Sequence, residues 1–416
     1  MNRTLESDVQ AQKSFIRTAR RMARRFSLLA AVAFFFALNA RCTESYPGPG
    51  SLLFVVEREA GNVAVVNYRT GELVKRINIG GNMRHASMVF DQALEYGYIA
   101  ARDGKLHRIR MKDLSHAGTV DCAENAIGLA ISSDSRVVAV AGYKPGGITL
   151  IDTESFTVLQ QIPTLRDGEK ESRVTGLVDA PDNAFLGALM DRSQIWKLVR
   201  DPEGLKYTVE SFPAASSAPF DALITPDARY YITGHFNSRE ITALDLRNGK
   251  TKNILLSDTL SSGTAQQNRP VKMPHMEAWA VSEDTIYLPA ADENELKMLD
   301  RSTLRFKGRI ALSGSPVYAM VHPGGRYLWV SFAGESEDGH IEIVDLETAK
   351  IVQSIDAGKR IYHMGFTPRG DMAFISSNLT NELIVMDAKS YRILHRVPVE
   401  SPSGIFGVWR AFQTGL

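Results

Sequence analysis

Residues 241–245 read ITALD, a short strand-like pattern closed by an acid, and the pattern returns along the whole chain. VAVVN begins at Val63, LHRIR at Leu106, ITLID at Ile148 and IWKLV at Ile195. LKMLD follows from Leu296, IEIVD from Ile341 and LIVMD from Leu383. The fifth positions are Asn67, Arg110, Asp152, Val199, Asp245, Asp300, Asp345 and Asp387, spaced by 43, 42, 47, 46, 55, 45 and 42 residues. Alternating β-branched residues signal a strand, and the closing acid or amide signals a turn. Eight such units at this period predict an all-β chain folded as an eight-bladed β-propeller of four-stranded blades.

Each unit has the same internal order. An apolar strand runs into a turn such as TPDARYY (225–231), HPGGRYL (322–328) or TPRGDMA (367–373). A second strand follows, then the ITALD-type strand, a turn and a fourth strand. Asp134, Asp227 and Asp371 in the first turns are read as structural. The edges of such blades need protection, which ring closure provides. GSLLFVVER (50–58) is expected to supply a strand to the last blade, taken to start at Leu383. The 416 residues are therefore read as one propeller domain over 51–416, although length alone suggests two or three domains.

Ahead of it lie a spacer (42–50) and a segment (1–41) unlike the body. Residues 1–40 hold seven basic and two acidic side chains, which leaves the remainder with 41 basic and 45 acidic ones. A mildly acidic body argues against nucleic-acid binding. The apolar run Phe26–Leu38 is 13 residues long, short for a membrane span of roughly 20. With Arg24 and Arg25 before it, the run reads as an export signal of the twin-arginine or general type, either cleaved or kept as an anchor, and predicts a periplasmic body. Cys42 suggests lipidation, but Arg41 before it is not the small residue lipidation wants; cleavage after Ala40 is the other reading. Only Cys42 and Cys122 are present, with no CxxC and no CxxCH, so zinc ribbons, dithiol redox motifs and thioether-attached haem are excluded.

In a propeller, the loops leading into the inner strands and the loops between second and third strands open on one face. The first set offers His85, Arg173, His275 and His363, together with Ala126-Ile127-Gly128, Phe220-Asp221, Ser315-Pro316-Val317 and Ser403-Gly404-Ile405. The second offers Arg102, Lys105, Lys144, Arg192 and His235; Lys272 lies near His275. His85, His275 and His363 fall on blades one, five and seven. A lone histidine at a strand start is more often a hydrogen-bonded structural group than a ligand, but three at related places raise the second reading. Imidazoles beside cations suit a flat, anionic, iron-bearing ligand, because imidazole ligates iron and arginine grips carboxylates. Met273, Met276 and Met364 are read as channel packing. His107, His116, His322, His340 and His395 are read as incidental, and Arg108 and Arg110 as a solvated outer face. No GxSxG, HExxH, GxGxxG or phosphate-loop motif occurs.

Seven segments carry a resemblance: RHASMVF (84–90), YKPGGI (143–148), SRVTGLVDAP (172–181), PFDALITPDARYYITG (219–234), KMPHMEAW (272–279), YHMGFTPRG (362–370) and SPSGIF (401–406). Through them the chain resembles the cytochrome d1-type propellers, and within them the NirF branch of haem d1 biosynthesis proteins. The resemblance implies non-covalent binding of haem d1 or a late, dihydro-haem d1-like precursor, a periplasmic location and membrane contact. It implies His85 and His275 as axial ligands of the iron, with Arg102, Lys105, Arg173, Lys272 and His363 around the tetrapyrrole. Cytochrome cd1 nitrite reductase and a NirN-like protein are the implied partners, with dimerisation of the chain left open. Where the reductase has a further distal histidine, this chain has Asp191 or Arg192. The missing CxxCH sets the chain apart from the nitrite reductase itself.

Two uses of the pigment stay open: carrying it, or modifying it, with Glu277 or His363 as the base. A different class of function is a non-catalytic YVTN-type propeller for protein contacts, in which the histidines are accidental. A lactonase-type hydrolase would need an acidic calcium cluster on the axis, where these loops hold mainly His and Arg.

Overall fold

The structure is a computed structural model and describes residues 48–165, 171–236, 238–256, 279–332 and 339–413. The strands of these residues form eight antiparallel sheets of four. Seven are built in chain order from the axis outward. Their inner strands are Ser87–Phe90 (blade 1), Asn125–Ile131 (blade 2), Val174–Ala180 (blade 3) and Pro219–Ile224 (blade 4). Ala280–Val281 (blade 5), Pro316–Val321 (blade 6) and Ile361–Phe366 (blade 7) follow. Among the described residues the only helices are three short 3-10 turns, and none is long and apolar enough to cross a membrane. The expected N-terminal signal or anchor (1–41) lies outside the described residues, as does most of the spacer.

Blade 8 joins the two ends of the chain. Its inner strand is Pro402–Gly407, and its other three are Leu52–Glu57, Asn62–Asn67 and Glu72–Asn78. This corrects the expected closure. Leu383 lies in Glu382–Asp387, the third strand of blade 7, whose fourth strand Ile393–Pro398 follows in the chain. Residues 50–58 do join the blade of the C-terminal strand as expected, Phe54 facing Phe406 and Leu53 facing Gly407. The alternation of apolar residues alone could not decide the closure, because it marks strands without saying which of them share a blade.

The ITALD-type segments are the third strands. They are buried on both faces, since every blade is packed between two others. The hydrophobic core is accordingly a set of layers between blades. Ile343 and Tyr318 of blade 6 pack on Ile384 and Phe366 of blade 7, with Trp329 against Phe366 at 5.1 Å between ring centres. The closing residue of the pattern is an Asx turn. Asp245 accepts the backbone N–H of Arg247 at 2.9 Å, Asp345 that of Glu347 at 2.9 Å, and Asn67 that of Arg69 at 3.1 Å. Each bends the chain into its fourth strand, which lies outermost and largely exposed. The turn after each inner strand repeats too: Thr225 donates to Asp227 at 2.6 Å and accepts the N–H of Tyr230 at 3.0 Å. Ser132 and Asp134 do the same in blade 2.

Two devices shape the axial face. Inner strands of blades 2, 3, 4, 6 and 7 carry a bulge in their first half. His85, Ala218, Arg360 and Ser401, just ahead of four inner strands, take φ values of 53°, 50°, 52° and 43°. This left-handed kink turns the chain from the rim toward the axis.

Candidate functional site on the axial face

The loops leading into the inner strands and those between second and third strands meet on one face, here called the mouth. His85 stands at the mouth on blade 1. It is exposed to solvent, yet protein surrounds it in the concave opening. This desolvation pushes its imidazole down to about 4, with the guanidiniums of Arg102, Arg58 and Arg84 adding to the effect. The ring hydrogen-bonds to none of the described residues. At neutral pH it is uncharged and keeps a lone pair to give.

Beside it runs a chain of polar contacts across three blades. Arg102 donates to Asn125 Oδ1 at 2.7 Å, and its guanidinium lies 4.6 Å from the centre of the Tyr143 ring. On the other side, Arg173 donates to the Tyr143 hydroxyl at 3.0 Å. Arg173 also grips Asp191 with two parallel bonds, Nε to Oδ2 at 2.8 Å and Nη2 to Oδ1 at 2.6 Å. Asp191 holds the Arg173 guanidinium well above its ordinary range. Tyr143 thus separates two arginines that would otherwise repel, and both remain partly open to solvent.

On the other flank, Arg84 pairs with Glu59 of blade 8 at 3.3 Å, and Arg58 lies 5.1 Å from the ring centre of Tyr362 in blade 7. Blades 4 and 5 differ in character. There Arg239 pairs with Glu293 at 2.7 Å and sits 3.8 Å from Asp292, while burial raises Asp292. Arginines therefore crowd the arc from blade 8 to blade 3, whereas in the arc opposite Arg239 and Lys297 are paired with carboxylates.

The expected site residues separate into groups. His85, Arg102 and Arg173 come together at the mouth. Lys105 does not join them: its ammonium points to Asp121 of the outer strand, 3.8 Å away. Lys144 pairs with Glu124 at 3.0 Å on the rim, and Arg192 bonds Thr164 O at 2.6 Å between blades 2 and 3. His235 is buried within blade 4, bonded to Ser217 O at 3.0 Å and Thr242 Oγ1 at 2.8 Å. His363 lies deeper than His85, within its inner strand, against Tyr318 at 3.5 Å from hydroxyl to Nε2. Lys272, His275 and Glu277 lie outside the described residues, as do Met273 and Met276. The structure adds Arg58, Arg84 and Tyr143, which the sequence did not single out. The signal of two of them was positional: Arg58 follows the second strand of blade 8 and Tyr143 lies at the end of that of blade 2, much as Arg102 follows that of blade 1.

Among the residues read as incidental, His107 is buried and bonds Asp103 at 2.9 Å, and His322 bonds Gly370 O at 2.7 Å. Arg108 departs from the expected solvated face: its guanidinium lies 4.2 Å from the centre of the Phe156 ring, between blades 1 and 2.

The family model for the cytochrome D1 heme domain matches residues 47–411. The chain is 33% identical to Protein NirF of Stutzerimonas stutzeri over 95% of this chain and 100% of that one. It is 34% identical to Protein NirF of Pseudomonas aeruginosa over 91% of this chain and 97% of the other. A dihydro-heme d1 dehydrogenase of Pseudomonas aeruginosa is 25% identical over 86% of this chain and 71% of its own length. Among solved structures, dihydro-heme d1 dehydrogenase NirN in complex with DHE superposes with a TM-score of 0.76. That match has 24% identity over 88% of this chain and 77% of the other, and it bears on the fold alone.

Proposed function

The chain belongs to the cytochrome D1 heme domain family, and on that premise we propose that it binds haem d1 or a late precursor of it across the mouth. One observation carries the reading: an imidazole held neutral, His85, stands beside a three-blade row of donors, Arg102, Tyr143 and Arg173. The residues fit such a group. A neutral imidazole without a described hydrogen-bond partner can take an iron, and arginines held in place by Asn125 and Asp191 can take peripheral carboxylates. Bound there, the iron tetrapyrrole would supply a redox-active centre that the chain's own side chains lack.

The chain's part in this reading is to hold and orient. His85 fixes the iron side, and Arg102 and Arg173 fix the acidic edge toward blades 1–3. His275, which Lys272 precedes in the sequence, is proposed as a further residue that would hold the iron. The proposed role is in haem d1 biosynthesis, passing the pigment toward cytochrome cd1 nitrite reductase, with a NirN-like protein as a partner. The relatives of the chain support this: two NirF proteins match nearly end to end, and NirN was solved in complex with DHE on the same fold. The basic segment and apolar run of residues 1–38 support export to the periplasm, with the N-terminus cleaved or kept at the membrane.

The test is optical. Purified protein mixed with haem d1 or dihydro-haem d1 should shift the Soret band, and His85→Ala should weaken the shift. No shift with any ferric tetrapyrrole overturns the reading in favour of a protein-contact propeller. Mass spectrometry of the pigment before and after incubation then separates carrying from conversion.

A further inference from the structure

The end of the axial channel opposite the mouth holds a cavity of about 510 Å³. Its wall comes from the lower halves of the inner strands of blades 4 to 8, the turns that follow them, and the 3-10 helix Val408–Phe412. The size lies within the roughly 300–1,000 Å³ of small-molecule sites. Trp279, Tyr318, Met320, Phe366 and Trp409 line it, with the His363 imidazole at the inner end. Among the described lining residues Arg410 carries the only permanent charge, and none is a carboxylate or a lysine.

The aromatic wall is built rather than incidental. Trp409 stacks on Phe374 at 6.2 Å and meets the edge of Tyr68 at 6.3 Å. Its indole folds back over Gly407, where any β-carbon would collide with the ring. The glycine is therefore needed for the tryptophan to face the cavity. Arg410 in turn lies 5.1 Å from the centre of the Phe406 ring.

We propose that this cavity is a second binding site, which takes a small planar aromatic anion. Its rings rest on the partly open Trp279 and Trp409 indoles and on Met320, and its acidic group faces Arg410. The site does not rest on the tetrapyrrole reading, since it uses none of His85, Arg102, Tyr143 and Arg173, and of the expected pigment residues it touches His363 alone among the described ones.

8-Anilinonaphthalene-1-sulfonate combines the required rings and charge, and serves as the probe. It should bind the purified protein at one saturable site and quench part of the tryptophan emission, since Trp279 and Trp409 are two of the four tryptophans. Arg410→Gln should weaken it by about tenfold, the scale of a lost charge-assisted bond. Met320→Trp should abolish binding by filling the space, and its thermal transition should show that the ring still folds. His85→Ala should leave it unchanged, and the uncharged N-phenyl-1-naphthylamine should bind more weakly. Non-saturable uptake overturns the proposal. So does equal affinity in Arg410→Gln and folded Met320→Trp, or loss in His85→Ala.

Discussion

His85 is neutral where most histidines are half-charged near neutrality, and this sets its pH behaviour. Its imidazole is pushed down to about 4, against about 6.5 for a free histidine. The folded state therefore holds fewer protons here than the unfolded chain between these values, so stability is flat above about pH 6.5 and falls as pH drops toward 4. The ring is solvent-accessible, which keeps that loss small. For ligand binding, we expect tetrapyrrole affinity in a spectral titration to hold from about pH 8 down to about pH 5. A decline centred near pH 6.5 would show that the surroundings of His85 do not hold its imidazole neutral below that pH. Asp191→Asn should be felt at Arg173, whose two bonds and charge balance it removes. We expect a five- to tenfold weaker pigment complex, about 1 kcal/mol, with Arg173→Lys behaving alike in the same titration. Arg102 and Arg173 were legible in the sequence because they stand at repeated offsets from strand ends. Tyr143 was not singled out, because its role exists only once blades 1, 2 and 3 dock. His363 stands within its inner strand, and its place there was not legible for a related reason. A bulge between Ile361 and Met364 shifts that strand against its neighbour, and a bulge has no sequence signal of its own.

At the scale of the element, the repeated pattern was the most readable feature of the chain. ITALD and its counterparts mark third strands because two buried faces demand apolar residues and the closing acid turns the chain. Asp300 shows how strongly such a turn holds its acid: the hydroxyl and N–H of Thr303 pull it down to about 2. The turn after the inner strand should be equally sensitive. Thr225→Val removes a donor to Asp227 and an acceptor for Tyr230, and should cost about 1–2 kcal/mol in urea unfolding. Trp329, 1% exposed between blades 6 and 7, should cost more: Trp329→Ala is expected to lose about 3–5 kcal/mol by the same measurement.

For the molecule as a whole, blade number was legible and closure was only half so. The spacing of eight units requires a ring, but which terminus supplies the inner strand depends on pairing across the entire chain. The leading segment makes its own prediction. Lys-Lys in place of Arg24-Arg25 should stop export if the twin-arginine route is used, read as precursor retained in the cytoplasm of fractionated cells. The two-ended blade also sets an order in time. A ribosome completes Leu52–Asn78 early and must then wait, since contacts such as Arg76 to Pro398 O join residues 322 positions apart. Until the last strand emerges, the nascent chain is an open arc with a bare edge at Leu52–Glu57, a surface on which chaperones and proteases compete. A stop codon at 401 would therefore yield no smaller ring, only an arc that never latches and that trypsin cuts while the complete chain resists.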